Sequence, residues 1–340
     1  MELARDFVFK PITPIADLVH FPFAFLSNPL GPLQDLPGTW VGKGFNVIWR
    51  PFNQPPQDRF LELDPTDETL QFENINGTIP NRGLLQADIN MFGLTYLQQI
   101  KNSNLNAGLH IEPGIWAVVP ETTNPAEPPT VVRMASIPHG TTMLAQGVAT
   151  LTSGPPAIPD NNVTPFSISS NASINFPEVN LALPTEFRSP PAALAGITQA
   201  MVDNPNSVLQ AAIAGQIITH TTTLKVSSMP SDPVLGGGTA NTAFLQGTSK
   251  AGPNAQAVEV DATFWIESVK GEGGAPDFLQ LQYSQLVILN FNGVSWPHVS
   301  VATLRKVISV QISPQLIDPR IPIEHIPPEY LPQPDPGPAG

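Results

Sequence analysis

Proline returns too often along this chain for a long helix to survive: of 340 residues, 40 are proline and another 25 glycine. Proline has no amide donor and its ring clashes with the preceding helical turn, so it is confined to turns, first helical turns and strand margins. Between these breaks the apolar residues come in short runs, many alternating with polar ones as in half-buried strands. Val258, Val260, Ala262, Phe264 and Ile266 share one face of the run 258–269, and Phe278 to Phe291 is joined to the next run by Asn292-Gly293, the sequence of a tight hairpin turn. Many short strands with hairpin spacing predict antiparallel pairing, and closure into a barrel disposes of exposed edges. The expected fold class is mainly β, an antiparallel calycin-like β-barrel carrying a short helical insertion and Pro-rich terminal arms.

Taken in order, residues 1–36 read as an extended arm whose Phe21, Phe23, Phe25 and Leu26 lie over a core. The barrel is expected over 37–312. It opens with Gly38-Thr39-Trp40-Val41-Gly42-Lys43-Gly44, where glycines let the indole close one end while backbone approaches it. Arg59 to Leu63 and Thr69 to Glu73 read as two strands joined by an Asp64-Pro65-Thr66-Asp67 turn, and the run 109–119 as a strand broken at Pro113-Gly114. Further strands are expected at 91–100, 130–137, 143–151 and 217–226. The insertion is placed at about 189–216, with one helix starting at Ser189-Pro190-Pro191 and a second at Asn204-Pro205. Residues 313–340 form a Pro-rich tail, expected extended or disordered.

Charge narrows the partners. A net charge of −13 with only 15 Lys and Arg argues against nucleic acid and anionic membrane, both of which need clustered cations. Without cysteine there is no disulfide, thiolate nucleophile or zinc-thiolate site. No apolar run reaches 18 residues and the acidic start lacks a basic leader, so a cytoplasmic protein is expected. Partners should be neutral, cationic or small, and the arms leave room for a homo-oligomer.

The stretch Trp296 to Lys306 carries the chemistry most worth following. If it is a strand, His298, Ser300, Ala302 and Leu304 lie on one face. One imidazole would then lead a row of small and apolar side chains, which suits a flat apolar ligand held by a single coordinate bond. The other reading is a histidine at the strand's open end, hydrogen-bonded to water. His110 and Glu112, two residues apart, also share a face and make half of a metal site or a simple pair. Glu259, Asp261 and Glu267 alternate with an apolar face and read as a solvated exterior, with Trp265 unexpectedly among them. Gly236-Gly237-Gly238 is not followed by the Lys and Ser or Thr of a phosphate loop, and no Gly-x-Ser-x-Gly elbow occurs.

Four blocks in order resemble nitrobindins, haem-binding β-barrels: Gly38 to Gly44; Leu109-His110-Ile111-Glu112-Pro113-Gly114-Ile115-Trp116; Pro138-His139-Gly140 through Gln146-Gly147; and His298 to Arg305. The chain is larger than that family's barrel and interrupts the blocks with its insertion. The resemblance implies haem (heme b) with His298 as proximal iron ligand, within a wall drawn from His298, Ser300, Ala302, Leu304 and Trp40. It implies a small gaseous or peroxide ligand, with His110, His139 and Arg133 as distal candidates and peroxidase or peroxynitrite-isomerase chemistry. Two other readings stay open: a metal-free carrier of an apolar small molecule, and an assembly protein tied together by its arms.

Overall fold

The computed structural model of the chain describes residues 28–54, 57–230, 235–246 and 254–307. The covering role of Phe21, Phe23, Phe25 and Leu26, and the tail from 313, fall outside the described residues.

Ten strands form one antiparallel barrel: β1 (Gly38–Gln54), β2 (Gln57–Asn74), β3 (Ile89–Asn102), β4 (Gly108–Val119), β5 (Thr130–Ile137), β6 (Thr141–Ser153), β7 (Ile218–Ser227), β8 (Gln256–Val269), β9 (Phe278–Phe291) and β10 (Val294–Lys306). Each pairs with its neighbours in sequence, and β10 returns to pair with β1 from Trp40↔Lys306 to Ile48↔His298, which closes the sheet. The mainly β barrel expected from the sequence is what the chain forms. No helix among the described residues is long and apolar enough to cross a membrane.

Strand periodicity assigns the faces. Trp40, Leu70, Phe72, Leu94, Tyr96, Trp116, Val260, Ala262, Phe264, Ile266, Ala302 and Leu304 belong to one interior cluster. Val258 does not join them: the β8–β9 register slips between Ala257 and Glu259, so Ala257 takes the inward place and Val258 is exposed. Asn292 and Gly293 both have positive φ, 52° and 74°, as a two-residue hairpin demands.

Two expected breaks are continuous strand. Residues 64–67 lie within β2 and Pro113-Gly114 within β4. Both prolines sit one residue outside the ladder with one of their neighbours. The β2–β3 ladder starts at Thr66↔Asn102, just past Pro65, whose carbonyl accepts from Ser103 in the following hairpin. Continuing that register sets Pro65 opposite Ser103, so Pro65 keeps the accepting half of this pair and lacks only the donating half. Pro113 likewise lies one residue before the first β4–β5 pair, Gly114↔Ala135.

The insertion is longer and less helical than expected. It runs between β6 and β7, and its α-helices are only α1 (Gln199–Asp203), capped by Thr198, and α2 (Ser207–Ala212). Pro190 and Pro191 open a run of turns instead of a helix. A third short helix, α3 (Ala243–Gln246), follows an added strand, Gly236–Asn241, that pairs with β6. The insertion packs on the outer face of the barrel, where Phe45, Val47, Trp49, Leu61, Leu63, Trp265, Val299 and Val301 meet Val163, Val202 and Leu209. Trp265 therefore faces outward as expected, yet lies buried under the insertion and not in solvent.

The barrel has two unlike ends. At one, Trp40 is fully buried and donates Nε1–H to the Leu36 carbonyl at 2.8 Å, with Leu30, Leu33 and Leu36 packed beside it. At the other lie the hairpins after β1, β3, β5 and β9, and here the chain places its candidate residues.

Candidate functional site

His298 enters from β10 and points inward, four residues from the β9–β10 turn, flanked in register by Ile48 of β1 and Val287 of β9. Its ring is enclosed by protein but keeps some accessible surface, and its Nε2 lies 3.3 Å from Ser300 Oγ. Burial, with help from the nearby His110 and His139, pushes its pKa down to about 3, so the imidazole is neutral with a lone pair to offer. His110 enters from the start of β4, and His139 from the exposed β5–β6 turn; their ring centroids are 5.4 Å apart. The three histidines expected from the sequence thus share the hairpin end of the barrel.

Ser300 extends the row as expected, but Ala302 and Leu304 lie deeper in the interior packing, fully buried. Trp40 is farther still. Register sets it opposite Lys306 while Ile48 stands opposite His298, so eight residues of strand, roughly 26 Å at the usual rise, separate Trp40 from the imidazole. A ligand on His298 does not reach Trp40, which closes the far end instead.

Below the histidines the barrel is filled by a polar network that the sequence reading missed. Glu112 Oε1 accepts from the Tyr96 hydroxyl and from Arg133 Nη2 (2.6 Å), and Arg133 also donates to the Tyr96 oxygen (3.0 Å) and to Gln285 Oε1 (2.6 Å). Glu112 Oε2 is left to His110 Nε2 at 3.2 Å. Beside this group, the Tyr283 hydroxyl donates to Glu68 Oε2 (2.6 Å), Thr66 donates to Glu68 Oε1 (2.7 Å), and Gln98 donates to the Tyr283 oxygen (3.0 Å). Burial alone would push Glu112 up, but the Arg133 charge and the bonds from His110 and Tyr96 outweigh it and hold the carboxyl down at about 2. Glu68 has no such cation, and burial raises it. Burial likewise raises Tyr96 and Tyr283, keeping both phenols protonated.

This network reassigns two of the distal candidates. Arg133 is fully buried, bonded to three partners and set over the rings of Tyr96, Trp116 and Phe264, so it has no charge to lend to a ligand at the mouth. His110 is bonded to Glu112, the pair that two-residue spacing on a strand predicts. Only His139 has no described hydrogen bond to its ring. Glu68 had a readable signal, since it shares parity with Leu70 and Phe72; reading 64–67 as a turn hid it. Gly44 makes its room, because a Cβ there would lie 2.6 Å from Glu68 Oε1 and 2.2 Å from the Val301 carbonyl oxygen.

The exterior acids differ from expectation too. Glu267 faces outward but is buried, accepting from Gln280 (2.7 Å), which exchanges bonds with Gln216 at the end of the insertion. Burial, only partly offset by Gln280, raises its pKa to about 7. Glu259 is raised by burial and by sharing a hydrogen bond with Asp261, so these two form a pair and not separately solvated charges.

An open cleft of about 830 Å³ lies across β1, β2, β3 and β4, with Glu68, Ile100, Lys101, His110 and His139 among its lining. Haem, which the sequence resemblance implies, fits the residues at this end in its axial donor: His298 is neutral and inward, and Ser300 Oγ can turn away from its Nε2. The flanking wall is mixed, with Ile48 and Val287 apolar but Asn46 and Ser300 polar. Among the described residues, no three histidine or carboxylate side chains already stand in metal-coordinating geometry.

No protein-family model and no curated protein sequence matches the chain. Among solved structures it aligns with one described as the crystal structure of Rv2717c from M. tuberculosis, at 14% identity and a TM-score of 0.37, over 82% of this chain and 98% of that one. At that score the likeness carries no argument, and the barrel rests on its own closed register.

Proposed function

We propose that the hairpin end of the barrel binds haem through His298 and presents the iron to a small diatomic or peroxide ligand. The observation that supports this most is the state of His298: an inward imidazole kept neutral by burial, at the one end of the barrel that is not closed by Trp40 and the leucines around it. Neutral imidazole is a common iron ligand, and bound haem would supply the ligand-binding and redox chemistry that no side chain here provides. Ile48 and Val287 would pack on the macrocycle, and Ser300 would give up its contact with Nε2.

Between the reactions that haem proteins carry out, the surroundings favour ligand binding or isomerisation over peroxidase turnover. Peroxide cleavage wants a distal base with a free nitrogen and a cation to balance separating charge. Arg133 is committed to Glu112, and His110 Nε2 faces Glu112 Oε2. The metal-free carrier reading has less support, because the space between the two ends is occupied by Arg133, Tyr96, Tyr283 and Phe264. Titrating haem-free protein with hemin, followed by tryptophan quenching, tests the proposal. One haem per chain, with affinity falling more than about tenfold in His298→Ala, is expected. Equal affinity in the two proteins would refute it.

A further inference from the structure

We infer that His110, Glu112 and His139 make a site for a divalent first-row transition-metal ion at the mouth of the barrel, separate from His298. Two of the three donors already stand as a metal would hold them. His110 Nε2 and Glu112 Oε2 are 3.2 Å apart, and two donors each about 2.1 Å from one ion at a tetrahedral angle stand roughly 3.4 Å apart. The ion would take the place of the proton these atoms share, with the neutral His110 ring carrying its proton on Nδ1 instead.

Glu112 is prepared for this. Tyr96 and Arg133 both bond Oε1 and so fix the plane of the carboxylate, leaving Oε2 turned toward His110. That is the work of outer-shell groups in metal sites, which orient a ligand from behind.

His139 supplies the third donor. Its ring centroid is 5.4 Å from that of His110, and two imidazoles on one ion have centroids roughly 5 Å apart by the same geometry. The rings are tilted by 44° and do not yet converge, in keeping with the absence of a ready three-ligand group among the described residues. His139 sits exposed in the turn between β5 and β6 with no described hydrogen bond to its ring, so a rotation of its side chain costs little. Two imidazoles and one carboxylate suit zinc or ferrous iron and leave further positions for water. The cleft of about 830 Å³ lined by His110 and His139 is the way in.

The test uses the full chain without haem and Co²⁺ as the probe, read by its visible ligand-field bands, with Zn²⁺ competition giving the affinity. One ion per chain is expected, with affinity falling more than about tenfold in His139→Ala and unchanged in His298→Ala. His139 lies in an exposed turn, so this variant keeps the barrel, and circular dichroism checks that it does. No saturable binding, or the same affinity in His139→Ala, overturns the inference. Loss of binding in His298→Ala overturns it too, since the ion would then sit on the other imidazole. The haem proposal is judged on hemin alone, so either can fail without the other.

Discussion

Buried ionisable groups in this barrel divide into those held charged by a partner and those neutralised by burial. Glu112 with Arg133 is the first kind, and Glu267 and His298 are the second. The pH dependence follows from the direction of each shift. Folding raises the Glu267 pKa from 4.5 to about 7, so its contribution to stability is full below 4.5 and is lost as pH rises through 7. His298 runs the other way: with its pKa lowered from 6.5 to about 3, its contribution is full above 6.5 and is lost as pH falls toward 3. A single variant separates the two. Glu267→Gln should be more stable than the natural chain at pH 8 by up to about 3 kcal/mol, with the gap closing toward pH 4.5, in denaturant titrations across that range. A gap that does not change with pH would show that Glu267 is not the protonated group. Gly44→Ala, which sets a methyl against Glu68 and the Val301 carbonyl, should cost about 1–3 kcal/mol in the same titrations. Single residues were readable wherever strand parity alone decided them, as with His110 facing Glu112 and His298 facing inward. They were not readable where cover came from elsewhere: nothing local says that Glu267 will lie under a distant insertion.

At the level of elements, the long strands depend on the insertion as much as on one another. β1 and β10 carry apolar residues on both faces, and β2 and β8 add Leu61, Leu63 and Trp265 to the outer one, which meets residues 158–209. Trp49 is the main link, bonding the Val163 carbonyl at 3.3 Å and packing on Phe176 and Trp296 with ring centroids 5.5 and 5.4 Å away. Trp49→Ala should cost about 3–5 kcal/mol and speed amide exchange across the insertion more than across β5 and β6, which the insertion does not cover. Uniform exchange throughout would show that the insertion is held by other contacts. Strand positions were legible because alternation is a local property, and β5 and β9 have the bounds that alternation predicts. The interruptions were not. Pro65 and Pro113 look like breaks in one dimension, and only the register with neighbouring strands shows that each lies one residue outside a ladder that the strand otherwise continues. The helical insertion was seen as a composition change, but its prolines make turns until Thr198 caps a helix.

On the scale of the whole barrel, the described residues form ten closed strands with one end packed by Trp40 and leucines, a charged and aromatic filling, and three histidines at the other end. The fold class was legible from proline spacing and hairpin signals, whereas the filling was not, since it is assembled from five strands whose register no local pattern reveals. That filling shapes the account of function: it confines any ligand to the hairpin end and commits Arg133 elsewhere. The most direct test of the central claim is the absorption spectrum of His298→Gly loaded with hemin, before and after adding free imidazole, beside the natural chain. The account predicts a Soret band in the natural chain that is displaced in the variant and restored by imidazole entering the space left by the side chain. A Soret band identical in both proteins, or none in either, would contradict it.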